Sequence, residues 1–269
     1  MSLTIFTVAM LFILGAAVGS FTSVVIYRLH TKESGILRGR SKCPHCQTKL
    51  KPLDLIPIAS YLMLRGRCRK CSGEISYMYP LLEFVTGSLF ALMFFKFPFI
   101  NDALQFSMDN LGMYLLFAFY IFVLVFTFFY DFHYMQVSDE ILLPAILIAL
   151  VATLAAPMAP SLKEALFGAA MALVFFGFQI LVSKGRWLGA GDLRIGAFMG
   201  IILGWKFFLV SLFISYLFGS VVAIAIGLKK KKFENVKIPF APILVTGTFI
   251  TIFFGDAILK WYLTGILGF

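Results

Sequence analysis

Long uncharged stretches alternate with short polar stretches along most of this chain. Residues 1–27 carry no charge, and residues 111–130 form another uncharged run that ends at Asp131. Runs of this kind match the roughly 20 apolar residues that an α-helix needs to cross the hydrocarbon core of a bilayer. The pattern predicts an all-α polytopic membrane protein with about eight transmembrane helices, over residues 1–27, 80–95, 111–130, 141–156, 165–182, a sixth span between Asp192 and Lys206, 207–228 and 238–258.

The sixth predicted span is unusually short. Only eleven residues separate Arg194 from Lys206, too few for a full crossing at 1.5 Å per residue. Two explanations stay open. Either the helix starts near Asp192 and the Lys206 side chain reaches back to the surface, or the helix is broken at its glycines.

The only sizeable polar segment lies between the first and second spans. It divides the chain into a first span (residues 1–27), a polar domain (28–79) and a larger transmembrane domain (80–269) with seven further spans. We expect the catalytic chemistry of the protein in the last of these three parts.

The composition agrees with this division. Hydrophobic residues make up 61% of the chain, only 13% of the residues are charged, and the mean hydropathy is +0.94. These values exclude an ordinary soluble globular domain. The net charge of +10 does not indicate a nucleic-acid partner, because the basic residues cluster in the loops between apolar runs.

The distribution of basic residues predicts the orientation in the membrane. With eight alternating spans, one side receives the loops 28–79, 131–140, 184–194 and 229–237, which contain 19 of the 23 lysines and arginines. The positive-inside rule makes this side cytoplasmic and places both termini on the periplasmic side. Asp131 and Asp192 are then both expected at the cytoplasmic boundary.

All four cysteines lie in the polar domain, as the two C-x-x-C pairs Cys43/Cys46 and Cys68/Cys71. Two such pairs can place four thiolates around one tetrahedral zinc ion. Zinc bound by four thiolates has no open position, so we expect a structural metal. Four unligated thiols are the alternative; disulfides are disfavoured in a reducing cytoplasm.

The candidate chemistry centres on two carboxylates at the ends of apolar runs. Asp192 stands in the sequence Gly189-Ala190-Gly191-Asp192, and Asp131 closes the third predicted span. Ionisable residues within the membrane are costly and indicate function by default. Two nearby carboxylates share a proton, so one can activate water while the other polarises a peptide carbonyl.

Other interpretations of these acids remain. Asp131 could cap a helix or pair with Arg194, and the same carboxylates could serve an ion- or proton-coupled transporter. A third possibility is a non-enzymatic scaffold in which both aspartates are dispensable. Glu83, near the start of the second span, is either a buried hydrogen-bonding acid or part of a second site.

Several motifs in a fixed order resemble the bacterial type IV prepilin peptidases, which are bifunctional leader peptidases and N-methyltransferases. The resemblance runs from about Gly15 to Thr248 and rests on a series of short matches. These are Gly19-Ser20-Phe21, Cys43-Pro44-x-Cys46, Asp54-Leu55-Ile56-Pro57, Arg65-Gly66-Arg67-Cys68, Tyr79-Pro80-Leu81-Leu82-Glu83, Gly189-x-Gly191-Asp192 and Pro239-Phe240-Ala241-Pro242.

The resemblance implies that Asp131 and Asp192 are catalytic, with Gly189, Gly191 and Arg194 in support. It implies prepilin or pseudopilin substrates, S-adenosylmethionine as the methyl donor and a location in the bacterial inner membrane. No residues are assigned to the S-adenosylmethionine site, and Glu83 is the candidate for methylation.

The chain departs from the usual family pattern at a few positions. Val137-Ser138 stands where the family usually has Ile-Pro, Arg194 where lysine is commoner, and Ala241 where glycine is commoner. None of these departures removes a carboxylate.

Overall fold

A computed structural model describes residues 3–32, 39–156, 159–230 and 238–266. Within these ranges the ordered elements are helices, and the β-type pairing is limited to isolated bridges. Parts of two predicted basic loops, residues 33–38 and 231–237, fall outside the described residues, as do residues 157–158.

The helices are joined by connections of different lengths, of which the longest, residues 32–58, contains Cys43 and Cys46. Their bounds are α1 Leu3–Thr31, α2 Ala59–Met63, α3 Met78–Lys96, α4 Met108–Tyr134, α5 Asp139–Ala155, α6 Leu162–Ser183, α7 Ala190–Lys230 and α8 Ala241–Trp261, with a 3₁₀ turn at Pro52–Leu55 and a final π-helical turn at Tyr262–Ile266. The chain forms two compact units, Met1–Phe126 and Thr127–Phe269, and α4 contributes residues to both.

In the first unit, α1 packs closely along α3. A Cβ atom placed on Gly15 would lie 2.6 Å from the Cβ of Phe90, and one placed on Gly19 would lie 2.8 Å from the Cα of Glu83. Small residues allow two helix backbones to approach in this way, which is how membrane helices gain packing contacts. Arg28, in the last turn of α1, is buried.

In the second unit, α7 packs against α6 and α8. The backbones of α6 and α7 meet at two glycines, since a Cβ atom on Gly168 would lie 2.4 Å from the carbonyl oxygen of Gly200. α7 and α8 meet at Gly247, whose Cβ position lies 2.1 Å from the Oγ of Ser215. Both contacts require glycine, because any side chain would push the helices apart.

The prediction of an all-helical membrane protein is confirmed, although the number of spans differs from eight. Within the described residues, six helices are long and apolar enough to cross a membrane. One difference is α5, which has only 17 residues. The other is α7, which holds the sixth and seventh predicted spans in 41 residues and breaks at Gly204 (φ 69°, ψ 169°). That backbone conformation favours glycine.

Candidate active site and metal centre

The two predicted catalytic acids both lie in the second unit, at helix ends. Asp131 is close to the C-terminal end of α4, and its side chain is buried, with 7% of the residue exposed. Asp192 is the third residue of α7 and is partly buried. Asp192 lies near enough to Asp131 for its charge to be felt there.

Asp131 is held by the start of α8. Its Oδ2 accepts a hydrogen bond of 3.1 Å from the backbone N–H of Ala241, the first residue of that helix. The first N–H groups of a helix have no partner within the helix and carry its positive dipole end, so they suit a carboxylate. Pro239-Phe240-Ala241-Pro242 therefore presents one backbone donor to Asp131. Sequence reasoning noted this motif but did not identify it as the partner of Asp131.

Asp192 is held by the turn that precedes its own helix. Its Oδ2 accepts a hydrogen bond of 3.0 Å from the N–H of Gly189, and its N–H donates to the Gly189 carbonyl at 3.1 Å. An acid at the third position of a helix that reaches back to the N-cap amide is a common helix-starting arrangement. The turn thus fixes the side chain close to the backbone of the glycine motif.

Gly191 packs against the connection between α4 and α5. A Cβ atom at this glycine would lie 2.5 Å from Cγ2 and 2.8 Å from Cβ of Val137. Real Cβ atoms do not approach other carbons this closely. Gly189 differs, because beyond its chain neighbours the nearest heavy atoms to its Cβ position, among them Oδ2 of Asp192, are 3.9 Å away. Gly191 therefore leaves no room for a side chain, whereas Gly189 does.

Arg194 forms an ion pair with Asp139, the first residue of α5. The side chains are 36% and 46% exposed, so solvent screens the pair and its contribution to stability is small. The alternative in which Arg194 pairs with Asp131 is not what the structure shows. The alternative in which Asp131 contacts a helix N-terminus does match the hydrogen bond from Ala241.

These contacts bring four helix ends together within the second unit. Asp131 near the end of α4 binds the start of α8, and Asp139 at the start of α5 binds Arg194 in the first turns of α7. Nearby, the hydroxyl of Tyr216 donates to Oε1 of Gln179 at 3.0 Å, and the Tyr216 ring packs edge-on to Phe240. Sequence reasoning did not single out this pair, because neither residue belongs to a recognisable motif.

The four cysteines meet in the first unit as predicted. The sulfur atoms of Cys43, Cys46, Cys68 and Cys71 all lie within 4.8 Å of one another, and those of Cys43 and Cys71 are 3.9 Å apart. Four sulfurs about 2.3 Å from a tetrahedral zinc would be roughly 3.8 Å apart. The residues therefore fit a metal ion of this kind.

The two C-x-x-C turns are built alike. Cys43 N–H donates to the Thr48 carbonyl, and Cys68 N–H donates to the Gly73 carbonyl. In the same way, Gln47 N–H donates to the Cys43 carbonyl and Ser72 N–H donates to the Cys68 carbonyl. This repeated turn points two thiols from each loop toward a common centre.

The surroundings of Cys46 and Cys68 favour thiolates, the form that binds metal, whereas burial and the neighbouring sulfurs raise the pKa of Cys71 to about 11. Hydrogen bonds from the side chain and backbone of Thr48 lower the pKa of Cys46 to about 6. Backbone hydrogen bonds from Cys71 and Lys70 lower the pKa of Cys68. His45 is not directed to the centre as a fifth donor, because its Nε2 lies 3.2 Å from the Glu74 carbonyl, to which it donates.

Glu83 lies in α3 of the first unit and is buried. Its Oε2 accepts a hydrogen bond of 2.7 Å from the N–H of Ile58, the residue before α2, and its carboxylate also bonds the side chain of Ser20. Ile58 has φ 61° and ψ −52°, a strained conformation for a β-branched residue. Glu83 therefore connects the polar domain (residues 28–79), from here on called the polar module, to the start of α3.

Comparisons with known proteins agree with this arrangement. Residues 13–97 match the bacterial peptidase A24 N-terminal domain, and residues 117–224 match the type IV leader peptidase family. A protein named prepilin leader peptidase/N-methyltransferase from Bacillus subtilis is 32% identical, covering 97% of this chain and 99% of its own. Proteins of the same name are 31% identical in Legionella pneumophila (92% and 91% covered) and 30% in Aeromonas hydrophila (96% and 94%). No solved structure matches the chain.

Proposed function

This chain belongs to the type IV leader peptidase family, and on that premise we propose that it cleaves the leader peptide of type IV prepilins and pseudopilins and N-methylates the new N-terminal residue. It is a multi-pass protein of the bacterial inner membrane with aspartic peptidase and methyltransferase activities. The relatives give no support to the transporter alternative, because those with the same pattern over nearly their full length are named as peptidases.

We assign cleavage to Asp131 and Asp192. The observation that carries this assignment is that each carboxylate is held by a backbone N–H, and that Gly191, next to Asp192, packs against the connection that follows Asp131. In each acid Oδ2 is occupied by that hydrogen bond. Within the described part of the chain, no hydrogen bond engages either Oδ1, which leaves these atoms for water and substrate.

The chemistry follows from one proton shared by two acids. The ionised carboxylate removes a proton from water as the water oxygen attacks the scissile carbonyl carbon. The protonated carboxyl group stabilises the developing charge on the carbonyl oxygen. When the C–N bond breaks, the leaving nitrogen takes up a proton from the pair. The products are a leader with a free carboxylate and a mature protein with a free amine.

The supporting residues have distinct roles in this proposal. Gly189 supplies the N–H that holds Asp192, and Gly191 allows the α4–α5 connection to approach α7. Arg194 joins α7 to α5 through Asp139. Together these contacts fix the position of Asp192 relative to Asp131.

We propose zinc as the metal of the four-cysteine centre, with a structural role, because four thiolates fill a tetrahedral coordination shell. A metal with four thiolate ligands has no open position for water or substrate, so it takes no part in peptide hydrolysis. S-adenosylmethionine supplies the methyl group in the second reaction. Glu83 remains the candidate residue for methylation. It has a structural role as well, because it accepts a hydrogen bond from the N–H of Ile58.

We also propose the orientation predicted from the basic loops, in which α5 and the two parts of α7 on either side of Gly204 each cross the membrane as separate spans. The polar module and the acid pair face the cytoplasm, and both termini are periplasmic. The scissile bond then lies where a polar leader meets the apolar helix of the substrate.

Purified protein incubated with a prepilin, with and without S-adenosylmethionine, tests this function. We expect leader removal by the unmodified chain and loss of cleavage in both Asp131→Asn and Asp192→Asn. Asp256→Asn is a matched control, because Asp256 is an exposed aspartate of α8 outside the site. Appreciable cleavage by either site variant would refute the assignment. Proton-coupled flux in vesicles without any cleavage would favour the transporter.

A further inference from the structure

The polar module of the first unit exposes an apolar face on residues 52–63, here called the foot segment. Leu53, Leu62 and Met63 are 63%, 67% and 64% exposed, and Leu55 and Ile56 are each 41% exposed. In α2 the exposed residues Ala59, Leu62 and Met63 are spaced i, i+3 and i+4, so they share one side of the helix. Such a concentration of exposed apolar side chains indicates an interaction surface.

A hydrogen bond holds the foot segment near the start of a helix long enough to cross a membrane. α3 has 19 residues and is therefore about 28 Å long, close to the roughly 30 Å thickness of the hydrocarbon core. Glu83 is five residues beyond Met78, about 7.5 Å along the helix axis. Glu83 accepts a hydrogen bond of 2.7 Å from the N–H of Ile58. The start of α2 is therefore held beside the second turn of α3.

Arginine side chains stand next to the apolar face. Arg65 and Arg67 are exposed and line the same concavity as Met63. Arg69 lines it too, but its charge is paired with Asp54 at 2.8 Å. Arg65 and Arg67 have no ion pair within the described residues. The foot segment thus combines apolar side chains with two unneutralised cations.

We propose that the foot segment lies in the interface of the bilayer, with its apolar side chains among the upper acyl chains and Arg65 and Arg67 on the phosphates of anionic lipids. This combination of apolar and cationic side chains is what an element lying in the membrane plane requires. Near an anionic surface each arginine favours docking by about fivefold. Lipid binding holds the polar module at the membrane surface, and this role is independent of the peptidase reaction.

Tryptophan fluorescence of the full chain in lipid nanodiscs tests the proposal. The native Trp187, Trp205 and Trp261 are replaced by phenylalanine, and Leu62→Trp is introduced as the single probe. We expect strong quenching by lipids brominated in the upper part of the acyl chain and weak quenching by iodide in the buffer. Met63→Trp provides a second probe position, and one zinc per chain shows that the module is folded.

The charge requirement is tested with the same probe. Arg65→Gln combined with Arg67→Gln should remove the difference in lipid quenching between anionic and zwitterionic nanodiscs. Lys49→Gln with Lys70→Gln is the matched control, since both lysines are exposed in the same module. We expect this control to keep most of the difference between the two lipids.

Three results would overturn the proposal. Strong iodide quenching without lipid quenching places the foot segment in water. Protection from both quenchers means that protein covers it, as in a dimer. Loss of lipid quenching when prepilin is added assigns the surface to the substrate instead.

Discussion

Gly191→Ala tests how closely the acid pair depends on the packing of its supporting loop. The added methyl group would lie 2.5 Å from Cγ2 and 2.8 Å from Cβ of Val137. Carbon atoms in contact are normally about 3.5–4.0 Å apart, so the loop or the start of α7 must move by about 1 Å. Val137 lies between Asp131 and Asp139 in sequence, and Gly191 adjoins Asp192. The displacement therefore acts directly on the relative position of the two carboxylates.

A misplacement of about 1 Å can reduce catalysis about 100-fold, because the reacting groups lose their alignment. We expect a loss of this size in kcat/KM for prepilin cleavage by purified Gly191→Ala. The KM should change less than kcat, since the substrate-binding surface away from the acids is untouched. Protein yield and thermal unfolding distinguish this effect from misfolding.

Two further variants complete the test. Val137→Ala removes Cγ2 and leaves the contact with Cβ at 2.8 Å, so in the Gly191→Ala background it should restore part of the activity. Gly189→Ala is the matched control, because its methyl group meets no heavy atom closer than 3.9 Å and the N–H bound to Asp192 is retained. The reasoning is refuted if Gly191→Ala cleaves within about threefold of the unmodified protein, or if Val137→Ala gives no recovery.

Three further predictions concern the metal, Glu83 and the ion pair. Cys43→Ser or zinc chelation should lower the thermal stability of the polar module and reduce cleavage without changing its pH dependence; absence of zinc from the purified protein by elemental analysis would contradict this. Glu83→Gln keeps an oxygen that accepts from Ile58, so we expect folding and cleavage to persist while methylation falls. Mass spectrometry of mature pilin decides the point, and full methylation would leave Glu83 with a structural role alone. Arg194→Ala breaks a half-exposed ion pair with Asp139. The free energy of unfolding should therefore fall by about 1 kcal/mol or less, and most cleavage activity should remain. A loss beyond about 100-fold would show that Arg194 acts on the substrate.

The membrane helices and the cysteine cluster could be predicted from sequence because both depend on local patterns. An uncharged run long enough to cross a bilayer is visible in the residues themselves, and α1 and α4 follow such runs. Each C-x-x-C turn brings its two thiols together without help from distant residues, so only the meeting of the two turns had to be inferred.

The partners of the two acids could not be predicted, because they lie far away in the sequence. Asp131 and Ala241 are 110 residues apart, and Asp139 and Arg194 are 55 apart. Apolar periodicity describes which side of a helix is buried but not which helix it meets. The sequence suggested Arg194 as a possible partner for Asp131, whereas the structure pairs it with Asp139.

The short sixth span shows an intermediate case. The spacing of Arg194 and Lys206 revealed that a simple crossing was impossible, and breakage at a glycine was one of two explanations. The structure shows the break: α7 starts at Ala190, before Asp192, and its backbone leaves helical geometry at Gly204. The exposed Lys206 stacks over the Trp205 ring just beyond the break. Which of several glycines breaks a helix depends on its neighbours, here Pro160 and Glu164.

The break at Gly204 bears on how the ribosome and the insertion machinery deliver this chain to the bilayer. The part of α7 before the break, from Ala190 to Leu203, is only about 21 Å long, shorter than the hydrocarbon core. Such a segment is poorly retained in lipid by itself. Its backbone meets that of α6 at Gly168 and Gly200, so the two can enter as a hairpin that shields the short segment. The helix that carries Asp192 would then insert correctly only once α6 has been synthesised and can pack against it.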